Sequence, residues 1–325
     1  MSRAQIDLEL RPATPVDAEA VSDLETARHP DDPADPAMVG FWWTTMPAGE
    51  VHVRFMAERD GSAVAYVMAR HRPWDDGSAR FGTMRILLHP ELWSGERYGH
   101  LVDIAESWLR DEAAAIAVIR VRADFTDEVR VLQARSYNEV RRGRPWELDL
   151  AANRASLLAG AELSRKRMSE QGVRLLTLDR DDDPDRLAKL HATWVEAEQD
   201  VPTTVPSPRM PYDEWHHLWF GNPGLRADRI WIAREGEAIV GMSAIEFPPT
   251  RGCPWTAFTG TARRVRGRGI ARALKYETVA QAIALGADRI RTENDGENAP
   301  ILHVNAEMGY VPIEPVLELH RPLAS

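Results

Sequence analysis

Two glycines within a cluster of arginines form the stretch of this sequence that most clearly suggests chemistry, "RRVRGRGIARALK" (263–275). A strand-like segment (253–262) precedes it, and apolar residues at helical spacing follow it. Glycine lets a backbone approach a ligand closely, and the unpaired N–H groups that begin a helix attract anions. Nearby guanidinium groups add charge-assisted hydrogen bonds to phosphate. The stretch therefore predicts a phosphate-binding turn, with an ordinary glycine turn as the alternative. It is neither G-x-x-x-x-G-K-[ST] nor G-x-G-x-x-G, which argues against a nucleoside triphosphate or a dinucleotide.

A second patterned stretch, "IRTENDGENAPILHVNAEMGY" (290–310), reads as a strand, a polar turn and a short helix. Asn298 opens this helix, and Gly309 with Tyr310 closes it. Together, Arg264-x-x-Gly267-x-Gly269 and Asn298 before Gly309-Tyr310 resemble the GNAT N-acetyltransferase superfamily over about residues 173–325.

This resemblance implies that acetyl-CoA is the acyl donor. Its pyrophosphate would lie on the glycine-arginine turn, its pantetheine arm near Asn298, and its thioester along the preceding strand. The implied cofactor-binding residues are Phe258, Thr259, Gly260, Thr261, Arg264, Val265, Arg266, Gly267, Arg268, Gly269, Ile270, Ala271, Asn298 and His303.

Acetyl transfer requires a neutral amine, a polarised carbonyl and a proton for the leaving thiolate. In the superfamily a tyrosine four residues before the closing glycine supplies that proton, but here Asn305 occupies the position. An amide donates hydrogen bonds without acting as an acid. Tyr310 is a second candidate acid, with core packing as the alternative. Glu246 and Glu293 end strands near the expected cleft and are candidate bases, unless they are ordinary solvated strand ends.

The resemblance implies that the acceptor binds against two helical segments, 191–202 and 211–220. Their tryptophans are either core or site residues, and their acidic residues either favour a cationic amine or form a helix surface. His216 and His217 are adjacent rather than four apart, and Cys253 is the single cysteine, so we expect no bound metal.

The chain also repeats itself once. Hairpin patterns at 51–72 and 229–247 are offset by 175 residues, and the C-terminal segments 136–150 and 309–323 by 173. The sequence thus predicts a first lobe at 1–150, a helical linker at 151–172 and a second lobe at 173–325. Each lobe is expected to be α/β of the α+β type, a twisted, mixed and mostly antiparallel sheet flanked by helices.

The first lobe lacks the phosphate-binding pattern. With the offset of 173, the motif positions Arg264, Gly267 and Gly269 are taken by Glu91, Ser94 and Glu96. Carboxylates repel a pyrophosphate, although a slip of a few residues would bring Gly95 and Gly99 to the turn. We therefore expect a degenerate first lobe and a second lobe that carries the cofactor. By the same offset, Phe125 takes the place of Asn298.

A net charge of −10 and a pI near 5.5 disfavour a nucleic-acid partner. No apolar run of membrane-spanning length is present, so we expect no membrane partner and a cytoplasmic monomer or homodimer. The resemblance implies an N-acetyltransferase that moves acetyl from acetyl-CoA to a small-molecule amine by direct attack in a ternary complex. The alternative is a non-catalytic acyl-CoA-binding or regulatory protein.

Overall fold

The computed structural model describes residues 8–47, 49–74, 79–205, 209–296 and 298–323. Their contacts form two compact units. Unit 1 comprises Met1–Gly143 and Glu314–Ser325, and unit 2 comprises Arg144–Ile313.

The described residues of the first half form six strands and four α-helices. In chain order these are β1 (Leu10–Pro12), α1 (Ala18–Arg28), α2 (Pro36–Thr44), β2 (Val51–Arg59), β3 (Ser62–His71), β4 (Phe81–Leu88), α3 (Gly95–Asp111), β5 (Ile116–Arg122), α4 (Thr126–Ala134) and β6 (Asn138–Asp149). The segment expected to be a helical linker forms α5 (Arg154–Glu170).

The second half repeats this order. It contains β7 (Val173–Thr177), α6 (Arg186–Glu198), α7 (Tyr212–Phe220), β8 (Ile230–Glu235), β9 (Ala238–Glu246), β10 (Trp255–Thr261), α8 (Ile270–Ala284), β11 (Arg289–Asp295), α9 (Ala299–Met308), β12 (Val311–Pro312) and β13 (Val316–Pro322). Both hairpins form as expected, with turns at Gly61 and Gly236 in positive φ.

In unit 1 the strand order is β1-β2-β3-β4-β5-β13-β6. Strand β13 lies antiparallel to β5 from Val316 opposite Arg122 to Pro322 opposite Ile116. The compact units therefore do not follow the repeat boundaries 1–150 and 173–325, because the last strand of the chain completes the sheet of unit 1. Helix α5 likewise belongs to unit 2, where Arg165 forms an ion pair with the buried Glu277 of α8.

In unit 2 the order is β6-β11-β10-β9-β8-β7, with β12 beside β6. Strands β10 and β11 are parallel, whereas β7 to β10 are antiparallel. Met242 and Ala244 of β9 pack with Trp215 on the α6–α7 side, and Val240 packs with Leu274 on the α8 side. The expected mixed sheet flanked by helices is confirmed.

The two repeats share local backbone geometry at the offset of 173 residues. The Tyr137 N–H donates to the Leu132 carbonyl, and the Tyr310 N–H donates to the Asn305 carbonyl, at 3.1 and 3.0 Å. Phe125 and Asn298 are the residues that precede α4 and α9, with φ of −77° and −80°. The offset therefore pairs equivalent positions in the two units.

Candidate functional site

The glycine-arginine turn joins β10 to α8. A 3₁₀ turn at Arg263–Val265 leads to Gly267 and Gly269, whose φ angles are +78° and +85°. A Cβ atom on Gly267 would meet nothing within 4 Å, so its left-handed backbone faces open space. Gly269 is the N-cap of α8. The turn thus exposes backbone where a helix begins.

Six consecutive backbone N–H groups, those of residues 267–272, have no hydrogen-bond acceptor within the described part of the chain. The first partner appears at Ala273, whose N–H donates to the Gly269 carbonyl at 3.0 Å. A helix leaves its first N–H groups unpaired, and the two left-handed glycines extend that series into the turn. Their donors and the helix dipole favour a bound anion.

The arginines around this turn are held by carboxylates. Asp200 binds Arg263 and Arg266, Glu235 binds Arg264 and Arg268, and Glu307 binds Arg272. These hydrogen bonds lower the pKa of Asp200 and of Glu235. With the carboxylate of Glu196, which accepts from the Arg263 N–H, five guanidinium groups face four carboxylates and leave an excess of one positive charge at the turn. The ion pairs orient the arginines while the region stays positive.

A cleft opens between β10 and β11, directly before this turn. The two strands pair only at Trp255 and Arg291 among the described residues. On its other edge β10 shifts register between Thr256 and Phe258, which leaves Ala257 as a bulge. Beyond this point β10 remains paired with β9, and the backbone groups of its free edge face the cleft.

Glu246 ends β9 as expected, whereas Glu293 lies two residues before the end of β11. The carboxylate of Glu246 accepts a hydrogen bond from the amide of Asn222, which is itself buried. Burial raises the pKa of Glu246, an effect that this hydrogen bond partly opposes. Glu293 is half-buried on β11. Asn222 carried no sequence signal, because it lies in a loop outside both motifs.

Asn305 lies in a buried polar cluster that the sequence reasoning missed. Its Oδ1 accepts a hydrogen bond from Lys275 Nζ at 2.8 Å, and its Nδ2 donates to Asn294 Oδ1 at 2.7 Å. Lys275 is 1% exposed and Asn305 is fully buried. Burial lowers the pKa of Lys275 to about 7. One signal was available, because Lys275 is one of only three lysines among 40 basic residues and stands beside Leu274 in an apolar helix.

Tyr310 packs beside the same cluster. Lys275 Nζ lies 4.7 Å from the centre of the Tyr310 ring. Burial raises the pKa of the Tyr310 hydroxyl above its ordinary value. Within the described residues no group makes a hydrogen bond of normal geometry with Tyr310 Oη. The side chain of Thr256 nevertheless lies close enough to oppose part of the rise in the pKa of this hydroxyl.

Comparisons with known proteins find a family match for the segment that contains this site. Residues 190–310 match the acetyltransferase (GNAT) family. This segment contains β10, the glycine-arginine turn, the cleft and α9. Residues 190–310 therefore form a domain of the GNAT family.

Solved GNAT structures share the fold over nearly the whole chain. One is a GCN5-related N-acetyltransferase from Sphaerobacter thermophilus, with 19% identity, a TM-score of 0.68 and coverage of 97% of this chain and 95% of that one. Another is a tandem GNAT protein from the clavulanic acid biosynthesis pathway, with 15% identity, a TM-score of 0.74 and coverage of 98% and 99%. A search of curated proteins found no match. Over nearly its whole length the chain therefore shares the fold of these GNAT structures, one of which is a tandem GNAT protein.

The remaining cofactor residues expected from the GNAT motif fall into three groups. Phe258, Thr259, Gly260 and Thr261 lie on β10 as expected, where Thr259 Oγ1 also bonds Ser243 Oγ at 2.8 Å and Gly260 packs against Ala197. Val265, Ile270 and Ala271 lie in the turn and the first turn of α8, with Val265 and Ile270 in the core. Asn298 precedes α9, whereas the side chain of His303 is 72% exposed and faces Glu307.

In unit 1 the equivalent GNAT cleft is closed. Strands β4 and β5 pair over four residues, from Phe81 with Ile116 to Met84 with Ile119. Arg28 then donates to the Ile86 carbonyl of β4 and forms a buried ion pair with Glu128 of α4. Side chains of unit 1 therefore occupy the position in unit 1 that is equivalent to the open cleft of unit 2.

The N-terminus of α3 is also closed. The Ser94 side chain accepts a hydrogen bond from the Arg97 N–H, and Gly95 and Gly99 both lack positive φ. A Cβ atom on Gly95 would meet Val131 at 3.2 Å. These glycines do not form a second open turn.

The acceptor region contains both core and surface. Trp194, Trp215 and Trp219 are buried in one hydrophobic cluster, so they are core residues. A pocket of about 330 Å³ lies on α6 and is lined by His191, Ala192, Val195, Glu196, Gln199 and Arg209. Glu196 also accepts a hydrogen bond from the Arg263 N–H at 2.7 Å, so this pocket borders the glycine-arginine turn.

Within the described ranges, no helix is long and apolar enough to cross a membrane, and no group of histidine, cysteine and carboxylate side chains could hold a metal ion. Cys253 is buried near the Pro254 carbonyl.

Proposed function

We propose that unit 2 is an acetyl-CoA-dependent N-acetyltransferase acting on a small-molecule amine. One observation carries the proposal. The N–H groups of residues 267–272 have no acceptor among the described residues, and they begin at Gly267, which faces open space, at the start of α8 beside the cleft between β10 and β11.

The residues present fit the phosphate groups of acetyl-CoA. The absence of a side chain at Gly267 leaves room for close approach of an anion, and the left-handed turns at Gly267 and Gly269 direct successive N–H groups outward. Arg264, Arg266 and Arg268 add charge-assisted hydrogen bonds. Bound acetyl-CoA would supply an activated acyl group. The free edge of β10 and Asn298 at the start of α9 are the proposed contacts of its pantetheine arm.

The acceptor amine is proposed to enter from the α6 side. The pocket beside α6 borders the turn through Glu196, whose carboxylate attracts a cationic amine. Glu246, held by Asn222 and raised in pKa by burial, is the proposed base that takes a proton from the amine, through water where needed. Asn305 is fully buried behind Asn294 of β11 and supplies hydrogen-bonding polarity rather than an acid.

A non-catalytic acyl-CoA-binding protein is the second candidate. One observation favours it, namely that an amide, Asn305, occupies the position where the superfamily has its acidic tyrosine. Both candidates require the same donor site, so binding tests that site and thiol release separates the two.

Titration calorimetry with acetyl-CoA tests the donor site. Gly267→Asp places a carboxylate among the free N–H groups, and we expect the affinity to fall by a free energy of ~1–3 kcal/mol, the scale of lost charged hydrogen bonds. Gly286→Asp is the matched control, because Gly286 has φ of +84°, also faces open space and follows the other end of α8. Equal affinities in the wild type and both variants would refute the proposed site.

A further inference from the structure

Lys275, Asn305 and Asn294 form a chain of hydrogen bonds with one direction. Lys275 Nζ has only hydrogens to offer when it is charged, so it fixes Oδ1 of Asn305 as the acceptor. The Asn305 amide must then turn Nδ2 toward Asn294 Oδ1, and Asn294 in turn must point its own Nδ2 away from Asn305. Each bond polarises the next, so the chain directs hydrogen-bond donors away from the buried lysine.

This chain of hydrogen bonds ends at the cleft between β10 and β11. Lys275 and Asn305 are buried, whereas Asn294 is half-buried. Asn294 lies on β11 three residues beyond Arg291, the last residue at which β11 pairs with β10 among the described residues. The Nδ2 group of Asn294 has no acceptor in the described part of the chain. The donor end of the hydrogen-bond chain, Asn294 Nδ2, therefore lies without an acceptor among the described residues, at the point where β10 and β11 have separated.

The fold does not require these polar groups. At the offset of 173 residues, unit 1 has Val102, Val121 and Leu132 in place of Lys275, Asn294 and Asn305, and all three are in its hydrophobic core. The backbone geometry around Leu132 and Asn305 is nevertheless the same. Burying an amine without a carboxylate partner is costly, and no carboxylate within the described residues forms an ion pair with Lys275. A cost that the sister unit avoids indicates a role outside folding.

We propose that Asn294 donates a hydrogen bond to the thiolate that leaves during acetyl transfer, and that Lys275 and Asn305 position and polarise it. This inference rests on the proposed function of unit 2. In the reaction a C–N bond forms at the amine and the C–S bond breaks. The electron pair of the C–S bond goes to sulfur, and the amine proton passes to the base and solvent. Negative charge then develops at the donor end of the chain, where fixed dipoles stabilise it without reorganisation. Asn294 is the catalytic residue, and Lys275 and Asn305 are positioning residues.

The thiol of bound coenzyme A provides a test that needs no acceptor. A spectrophotometric titration of thiolate absorbance, with coenzyme A bound to the full-length protein, measures the pKa of that thiol. We expect the pKa to be lower than in free coenzyme A for the wild type. Asn294→Asp keeps the shape of the side chain but replaces the donor by a carboxylate, so it should raise the thiol pKa above the wild-type value. Lys275→Met should move it in the same direction, whereas Lys166→Met, on the exposed surface of α5, should leave it at the wild-type value.

Turnover supplies the second readout. With any amine that supports acetylation, Asn294→Ala should lower kcat by ~10²-fold, as expected for one lost polar stabiliser, with KM for acetyl-CoA unchanged. The triple variant Lys275→Val, Asn294→Val and Asn305→Leu copies the core of unit 1 and is expected to fold. Normal coenzyme A affinity with a wild-type thiol pKa in Asn294→Asp would overturn this inference and leave the donor site intact. Failure of the wild type to bind coenzyme A would instead refute the proposed function.

Discussion

Lys275 Nζ donates a 2.8 Å hydrogen bond to Asn305 Oδ1 in the interior of unit 2, where both side chains are inaccessible to solvent. The equivalent residues of unit 1, Val102 and Leu132, are apolar. One of two homologous cores thus contains an ionisable group that the other lacks.

This difference predicts a pH dependence of stability. Burial lowers the pKa of Lys275 to about 7, from 10.5 in the unfolded chain. Between these two values the unfolded state binds the extra proton, so the free energy of unfolding rises with pH in that window. Below about pH 7 both states are protonated, and the burial penalty is constant. Relative to Lys275→Met, the wild-type melting temperature should therefore rise from about pH 7 to about pH 9. A constant difference across that range would show that Lys275 is not buried as described.

Asn305 predicts a particular pattern of mutant kinetics. Asn305→Ala should lower the acetylation rate by ~10²-fold without abolishing it, since an amide contributes polarity and not a proton. The rate should rise with pH and show no falling limb from a protein phenol. Tyr310→Phe should have a small effect, because Tyr310 Oη is buried and makes no hydrogen bond of normal geometry with the described residues. A large loss in Tyr310→Phe would assign the acid to Tyr310.

Glu246 is expected to set the rising limb of the pH–rate curve. A carboxylate is a base only when deprotonated, and burial raises the pKa of Glu246, so the rate should increase as pH passes through that raised value. Glu246→Gln should remove this limb and slow acetylation by ~10²-fold or more. Glu293→Gln, near the end of β11, serves as the comparison. If Glu293→Gln removes the limb and Glu246→Gln keeps it, the base is Glu293.

Unit 1 should not bind acetyl-CoA. Its strands β4 and β5 stay paired four residues deep, and the buried ion pair of Arg28 with Glu128 occupies the region beyond. Calorimetry should give one site per chain, and Gly267→Asp should weaken that site without revealing another. Two sites of equal affinity would show that the first lobe is functional.

The motifs predicted the position of the donor site but not the contacts within it. The spacing of Gly267, Gly269 and Asn298 marks backbone features, which local sequence determines, so the turn and the starts of α8 and α9 lie where expected. The cluster around Lys275 combines side chains from α8, β11 and α9, which meet only in the folded unit. No spacing along the sequence therefore predicts it. The pairing of β13 with β5 was not predicted for the same reason. It joins strands that are far apart in the sequence, and two C-terminal segments of equal length do not specify which strands pair.

Release of free thiol from acetyl-CoA tests the central claim most directly. The wild-type protein would be mixed with acetyl-CoA and each member of a panel of amino sugars, polyamines, amino acids and peptide N-termini, and free thiol would be followed against amine-free controls. We predict amine-dependent thiol release with at least one class, and its loss in Gly267→Asp but not in Gly286→Asp. Tight binding of acetyl-CoA without amine-dependent release across the whole panel would contradict the enzyme and favour a non-catalytic acyl-CoA-binding protein.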